Sequence, residues 1–257
     1  MYHRPRVIPV LSIDNGDLVK TVKYSNPRYL GDPLNAVKIF NGKYVDELCI
    51  LDIRASKDNE PIDFNLLTNI ATQAFMPLSY GGGIKTLDDM KKLFRIGYEK
   101  VVINTSFFLN PEIVKIGSNY AGSQSIVVAI DVKQEKSGKK NIYIKSGTEK
   151  INMSPLEGAL LAEKMGAGEI IINSINQEGM MSGYDLELIN EISNSVSIPV
   201  IANCGASNIL DLKKALDSGA HAVAASSIFV YYGTKKAVLI TFPNEKELVN
   251  MEIYKNL

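Results

Sequence analysis

Eight short runs rich in Val, Ile and Leu recur along the chain, each separated from the next by a longer stretch of helical period. No other feature constrains the fold as much. The runs are RVIPVLSI (6–13), ELCILDI (47–53), PLSYG (77–81), KVVINT (100–105), SIVVAIDV (125–132), EIIINSI (169–175), IPVIANC (198–204) and HAVAASS (221–227). Segments such as 32–43, 64–75, 87–97, 111–122, 154–168, 184–195 and 208–220 place apolar residues at i, i+3, i+4 and i+7 between them. Gly97, Gly166 and Gly219 fall near the C′ positions of three of these, where a residue without Cβ enters the left-handed region cheaply. Apolar strands of this kind suit a parallel sheet covered on its outer face. Eight βα units in 257 residues therefore predict one α/β domain, a closed (β/α)₈ TIM barrel.

The two halves of the chain repeat one another. GGG at 81–83 and NCGAS at 203–207 follow corresponding runs about 120 residues apart, as do INTS at 103–106 and AASS at 224–227, and Ser12 stands at the same offset from Asp131. Half-barrels of about 5–120 and 121–235, with a divergent C-terminal segment from about 232 to 257, make a single domain. An open doubly wound sheet is the alternative, but no GxGxxG follows the first run. Residues 14–31 read as a long loop, either a functional lid or disordered. The polar segment 133–150 reads as a solvated excursion or as a small hairpin around NIYIKSG.

Charge and composition exclude several functions. Lys and Arg number 28 and Asp and Glu 28, and a formal net charge of zero argues against nucleic acid, whose binding needs a clustered basic surface. His3 and His221 have no carboxylates at ligand spacing around them, so no metal or other cofactor is expected. Cys49 and Cys204 lie in apolar runs and read as buried reduced thiols. Neither a signal-peptide core nor an 18-residue apolar stretch occurs, so membrane insertion is not expected and the chain reads as cytoplasmic.

Barrel enzymes carry their sites at the C-terminal ends of the strands. There the chain offers Ser12, Asp52, Gly81 to Gly83, Asn104 with Thr105, Asp131, Asn173 to Gly179, Asn203 with Gly205, and Ser226. Glycine-rich turns that open helices present backbone N–H groups to an anion, and the helix dipole favours its charge. Gly83 with Asn104 and Thr105, and Gly205 with Ser226, are thus two candidate phosphate cradles related by the repeat. A small molecule phosphorylated at both ends is the natural ligand.

Taken in order, VIPVLSIDNG, DELCILDI, GGGI, EKVVINT, VVAIDVK, GAGEIIINSI, EGMMSGYD and HAVAASS resemble the cyclase subunit of imidazole glycerol phosphate synthase, from about residue 5 to residue 230. The resemblance implies a barrel that receives ammonia from a class I glutaminase subunit. With it the barrel cleaves and cyclises a bis-phosphorylated ribulosyl intermediate, two aspartates closing strands 1 and 5 serving as general acid and base. Asp131 matches one of those aspartates and Lys20 a lysine that touches substrate; Gly179 and Ala225 join the phosphate contacts. Arg6, Glu47, Lys100 and Glu169 match a ring of charges that gates ammonia at the bottom of the barrel. Even steps from Arg6 to Ser12, Lys100 to Asn104 and Glu169 to Asn173 put top and bottom residues on one face of each strand, with Val102, Ala129 and Ile171 lining the lumen between. Truncating Lys100 to Ala is expected to alter the coupling between glutamine hydrolysis and product formation without unfolding the barrel, since rim truncations away from the core usually cost little.

The departures from the pattern carry as much weight. The strand 1 aspartate is Ser12, a hydroxyl that cannot relay protons as a carboxylate does. Asp14 keeps the parity but lies about 6–7 Å further along the strand. Loss of one proton-transfer group typically costs about 10²–10⁴-fold. Asn176 and Glu178 replace two further aspartates, and Met180 a small polar residue. A diverged paralogue absorbs these changes: it keeps the barrel, the ammonia entrance and the glutaminase face but serves a different acceptor. By resemblance such paralogues belong to amidination of bacterial surface sugars in lipopolysaccharide biosynthesis, beside a separate sugar amidotransferase, and YYGTKKAVLITFPNEKEL fits that branch. A working cyclase subunit of histidine biosynthesis that tolerates Ser12 and a non-catalytic activator of the glutaminase are the alternatives. Intrinsic cyclase activity stays open between them.

Overall fold

The computed structural model describes residues 4–254, so His3 lies outside the described residues. In chain order its elements are β1 (Arg6–Asp14), β2 (Asp17–Val22), β3 (Ser25–Gly31), α1 (Pro33–Asn41), β4 (Leu48–Asp52), α2 (Phe64–Gln73), β5 (Leu78–Gly81), α3 (Leu87–Ile96) and β6 (Lys100–Ile103). Then come α4 (Thr105–Leu109), α5 (Glu112–Ala121), β7 (Ile126–Gln134), β8 (Lys140–Ile144), β9 (Glu149–Ile151), α6 (Pro155–Lys164), β10 (Glu169–Ser174) and α7 (Leu186–Ser193). The chain continues through β11 (Val200–Asn203), α8 (Ile209–Asp217), β12 (Ala222–Ala225), α9 (Ser227–Val230), β13 (Tyr231–Tyr232), β14 (Ala237–Val238) and α10 (Glu245–Asn250).

The eight predicted strands close into a barrel. β1, β4, β5, β6, β7, β10, β11 and β12 pair in parallel one after another, and β12 returns to β1 with Arg6 opposite Ala222. Closure rules out the open sheet. Each strand buries both faces. Val7, Leu11, Ile50, Val101, Val128, Ile170 and Val223 point outward against Val37, Phe40, Ile70, Leu93, Val114, Leu188 and Leu212 of the surrounding helices. Each such aliphatic side chain contributes about 1.5–3 kcal/mol relative to exposure. Ile8, Val10, Cys49, Val102, Val127, Ala129, Ile171, Ile201, Ala222 and Ala224 form a separate inner cluster, the lumen. Helix ends follow local signals. A capping box of Thr86 and Asp89 starts α3, and Gly97 at φ +119° ends it.

Structure replaces both expected loops. Residues 17–31 form a hairpin that extends the sheet beyond the barrel rim, with Ser12 opposite Val19 and Asp14 opposite Asp17. The turn that leads into it from β1 is Asn15-Gly16, both at positive φ (51° and 85°), the pairing that a two-residue type I′ turn demands. Within 133–150 the hairpin, not the solvated excursion, is what forms: β8 runs antiparallel to β7 with Asp131 opposite Tyr143. The reason is burial. Ile142 and Ile144 are fully buried, and a Cβ at Gly158 of α6 would lie 2.5 Å from Ile142 Cδ1. In the C-terminal segment α10 docks on the outer core through Leu248, followed by Ile253 and Tyr254. The cysteines differ from expectation in one respect: Cys49 is buried in the lumen, whereas Cys204 is only half-buried at the mouth. Among the described residues no helix is long and apolar enough to cross a membrane.

Candidate functional site

The bottom of the lumen is closed by charge. Arg6 opens β1, Lys100 opens β6, Glu169 opens β10 and Glu47 immediately precedes β4, and strand parity turns all four inward. Arg6 Nη1 donates to Glu47 Oε2 at 2.5 Å and Nη2 to Glu169 Oε1 at 2.6 Å. Lys100 Nζ reaches Glu47 Oε2 and Glu169 Oε2, each at 3.0 Å. Cations and carboxylates therefore alternate around a closed ring. The side chains are 5–25% exposed, so the ring is not a solvated rim, and each truncation would strand a partly buried opposite charge. Beyond the ring, Arg6, Lys100 and Glu169 share a shallow concavity with Phe94, Tyr98, Tyr120 and Gln124.

At the other end a cavity of about 450 Å³ opens over the strand termini and reaches down to Val10, Leu51, Val102 and Ala129. Asp131 stands in it, 7% exposed, at the end of a side-chain ladder: Asn203 Nδ2 donates to Asn173 Oδ1 at 2.8 Å, and Asn173 Nδ2 to Asp131 Oδ1 at 2.7 Å. Parallel registry of β7 with β10 and of β10 with β11 sets Asp131, Asn173 and Asn203 side by side. Burial pushes the Asp131 carboxyl up to about 6, with the donors on Asn173 and Tyr24 pulling it back towards the ionised form. Ser12 lines the same cavity and supplies no second charge. Asp14 does not replace it; its carboxylate faces Arg54 at 3.8 Å.

Lys20, 5% exposed on β2, forms an ion pair with Glu178 and lies 3.2 Å from the carbonyl oxygen of Thr21. Burial pushes the Lys20 pKa down to about 8, with Cys204 opposing that shift. Asn104, Thr105, Gly83, Gly179, Gly205, Ala225 and Ser226 all line the cavity. The backbone explains the glycines. A Cβ at Gly205 (φ +113°) would fall 2.1 Å from the Gly183 carbonyl oxygen, and one at Gly179 (φ +71°) 2.4 Å from that of Thr21. Of the groups expected to receive an anion, the Gly83 N–H already donates to Ser56 Oγ at 3.1 Å. Thr105 Oγ1 likewise accepts the Lys145 N–H at 3.0 Å. The first turns of α4 and α9, at Asn104 and Ser226, have no side-chain cap, so their N–H groups face the cavity unclaimed by a capping side chain.

Sequence reasoning missed three contributors: Tyr24, the Asn173–Asn203 ladder as a support for Asp131, and Ser146, whose Oγ donates to the Ile53 carbonyl at 2.5 Å across the mouth. The Asn15-Gly16 pair was the available signal for the hairpin that delivers Tyr24. Nothing local announces Ser146.

A polar mouth over one buried carboxylate, a small-residue lumen and an ionic closure at the far end define the class: a (β/α)₈ barrel whose candidate site lies in the cavity at the C-terminal ends of its strands. A family profile described as "Histidine biosynthesis protein" matches residues 6–236, and the chain belongs to that family. It is 43% identical over 246 residues to a protein of Leptospira interrogans provisionally named imidazole glycerol phosphate synthase subunit HisF, covering 95% of this chain and 97% of the relative. A provisionally named subunit hisF2 of Pseudomonas aeruginosa is 44% identical over 246 residues, covering 95% and 98%. The imidazole glycerol phosphate synthase subunit HisF of Streptomyces avermitilis is 38% identical over 224 residues, covering 87% and 89%.

Proposed function

We propose that this barrel is the ammonia-using subunit of a glutamine amidotransferase complex. A glutaminase docks at the ring end, ammonia crosses the lumen, and Asp131 serves as the acid–base group for an acceptor held at the mouth. The observation that supports this best is the juxtaposition along one axis of the closed ring, the lumen of small and apolar side chains, and a carboxyl poised at about 6. An apolar lumen passes neutral ammonia and rejects ammonium, because an unpaired cation out of water is costly. With a midpoint of about 6, Asp131 is mostly ionised near neutral pH yet close enough to it to be reprotonated, so it can take a proton from the attacking nitrogen and return it to a leaving group. Phe75 and Tyr44, 89% and 90% exposed in the helix-to-strand connections beside the ring, suit a protein partner. An acceptor phosphorylated at both ends would lie between the first turns of α4 and α9, near Thr105 and Ser226.

With Ser12 opposite Asp131, one carboxylate must do what the cyclase divides between two. We therefore assign the chain to the paralogue branch whose acceptor is a bacterial surface sugar rather than the ribulosyl intermediate. The test has two arms. Purified barrel is mixed with a co-encoded glutaminase, and glutamine hydrolysis is measured with and without it; a complex at micromolar concentration with stimulated hydrolysis is expected, and its absence sinks the reading. Turnover with ammonia and the ribulosyl intermediate is expected to be about 10²–10⁴-fold below that of a two-aspartate cyclase and to rise in Ser12→Asp. Robust wild-type turnover abolished by Asp131→Asn would instead make the chain a working cyclase subunit.

A further inference from the structure

Tyr24 enters the site from outside the barrel. It occupies the turn between β2 and β3, where Lys23 and Tyr24 both adopt positive φ (53° and 61°) without a glycine or asparagine to ease it. Glu178 holds that turn. Its backbone carbonyl accepts the Lys23 N–H at 2.9 Å, its Oε2 accepts the Tyr24 N–H at 3.0 Å, and its Oε1 pairs with Lys20. Tyr24 lines the same cavity as Asp131, and its phenol is among the groups that pull the Asp131 carboxyl back towards the ionised form. Above it sits the tip of the β8–β9 hairpin, where a Cβ at Gly147 would lie 3.0 Å from Tyr24 Cδ2. The ring therefore packs against the second hairpin, in the cavity that also holds Asp131, and both covers of the mouth meet on it.

We propose that Tyr24 is a positioning residue for Asp131: its phenol donates to the carboxylate from the mouth side, orienting it and favouring its ionised form. The proposal rests on the reading of Asp131 as the acid–base group, but its test does not. The other groups facing Asp131 are Asn173 from β10, Cys204 at the end of β11, and the Lys20–Glu178 pair from β2 and the loop after β10. Tyr143, opposite Asp131 on β8, has its hydroxyl near Glu135 instead.

The experiment is a carboxyl-carbon NMR titration of Asp131 in the full chain, compared with Tyr24→Phe and Gly147→Ala. Loss of a donor to the charged form should raise the Asp131 midpoint by about one unit in Tyr24→Phe. Gly147→Ala, which pushes the ring aside, should shift it the same way. An unchanged or lowered midpoint in Tyr24→Phe overturns the proposal. Where turnover is measurable, the acidic limb of the kcat/KM profile should move with the midpoint. A shifted titration with no ammonia-dependent turnover on any acceptor leaves Tyr24 assigned and removes the functional reading instead.

Discussion

Replacing Lys100 by Met takes one cation out of the four-membered ring and keeps the stem that covers the lumen floor. Glu47 and Glu169, 5% and 12% exposed, then have Arg6 as their remaining partner in the ring. Stranding a buried ion costs about 3–5 kcal/mol, and the 16% exposure of Lys100 together with that of Glu169 reduces this to about 2–3 kcal/mol. For a domain of this size the melting temperature should fall by about 4–12 °C. The double variant Lys100→Met/Glu169→Gln removes one charge of each sign and leaves the Arg6–Glu47 pair, so it should recover about 1–2 kcal/mol relative to additivity. Urea unfolding followed by circular dichroism measures all three proteins. A loss under about 0.5 kcal/mol in Lys100→Met, with no coupling in the double variant, would show that the ring is energetically a solvated rim and refute the account of it as a seal.

Asp131→Asn should stabilise the protein at pH 8 by up to about 3 kcal/mol. The folded midpoint of about 6 lies above the ordinary value near 3.9, so the carboxyl's contribution is fully present below about pH 4 and lost as pH rises through 6. The advantage of the variant should therefore vanish in melts recorded near pH 4; a pH-independent difference would contradict the assignment. Gly179→Ala drives a Cβ to 2.4 Å from the Thr21 carbonyl oxygen at φ +71°, and should loosen the β2–β3 hairpin at a cost of about 1–3 kcal/mol. Faster amide exchange confined to residues 17–31 is the expected signature, and unaltered protection there would count against the packing argument. Crystals soaked in sulfate should carry anions near Thr105 and Ser226, and Gly205→Ala should lose the second of these; side chains filling both positions at high sulfate would exclude a bis-phosphorylated ligand.

Much of this architecture could be read from residue order. Strand after strand, the apolar run and the helical period that follows it are local properties, and the eight parallel strands formed where those runs stand. Parity along β1, β6 and β10 likewise put Arg6, Lys100 and Glu169 on the lumen side. Asn15-Gly16 was also legible as a type I′ turn; reading 14–31 as a loop overlooked it, because the alternation in DLVKTV is short and its partner strand, SNPRYLG, is polar.

Other features depended on closure and on contacts distant in sequence. Which cation meets which carboxylate in the ring follows only once β12 has paired with β1. The Asn203–Asn173–Asp131 ladder needs the parallel register of three strands that are separated by helices in the chain. Tyr24 is the clearest case. Lys and Tyr disfavour a left-handed turn, and what holds them there is Glu178, on a loop reached only after most of the barrel has been built. Periodicity reports which face of an element is apolar, and so the sequence alone determined the barrel and the inward sets of side chains. A hydrogen bond between residues far apart in the chain exists only when the folded backbone offsets the entropy of bringing them together, and so the pairing within the ring, the support of Asp131 and the placement of Tyr24 were decided by the tertiary structure.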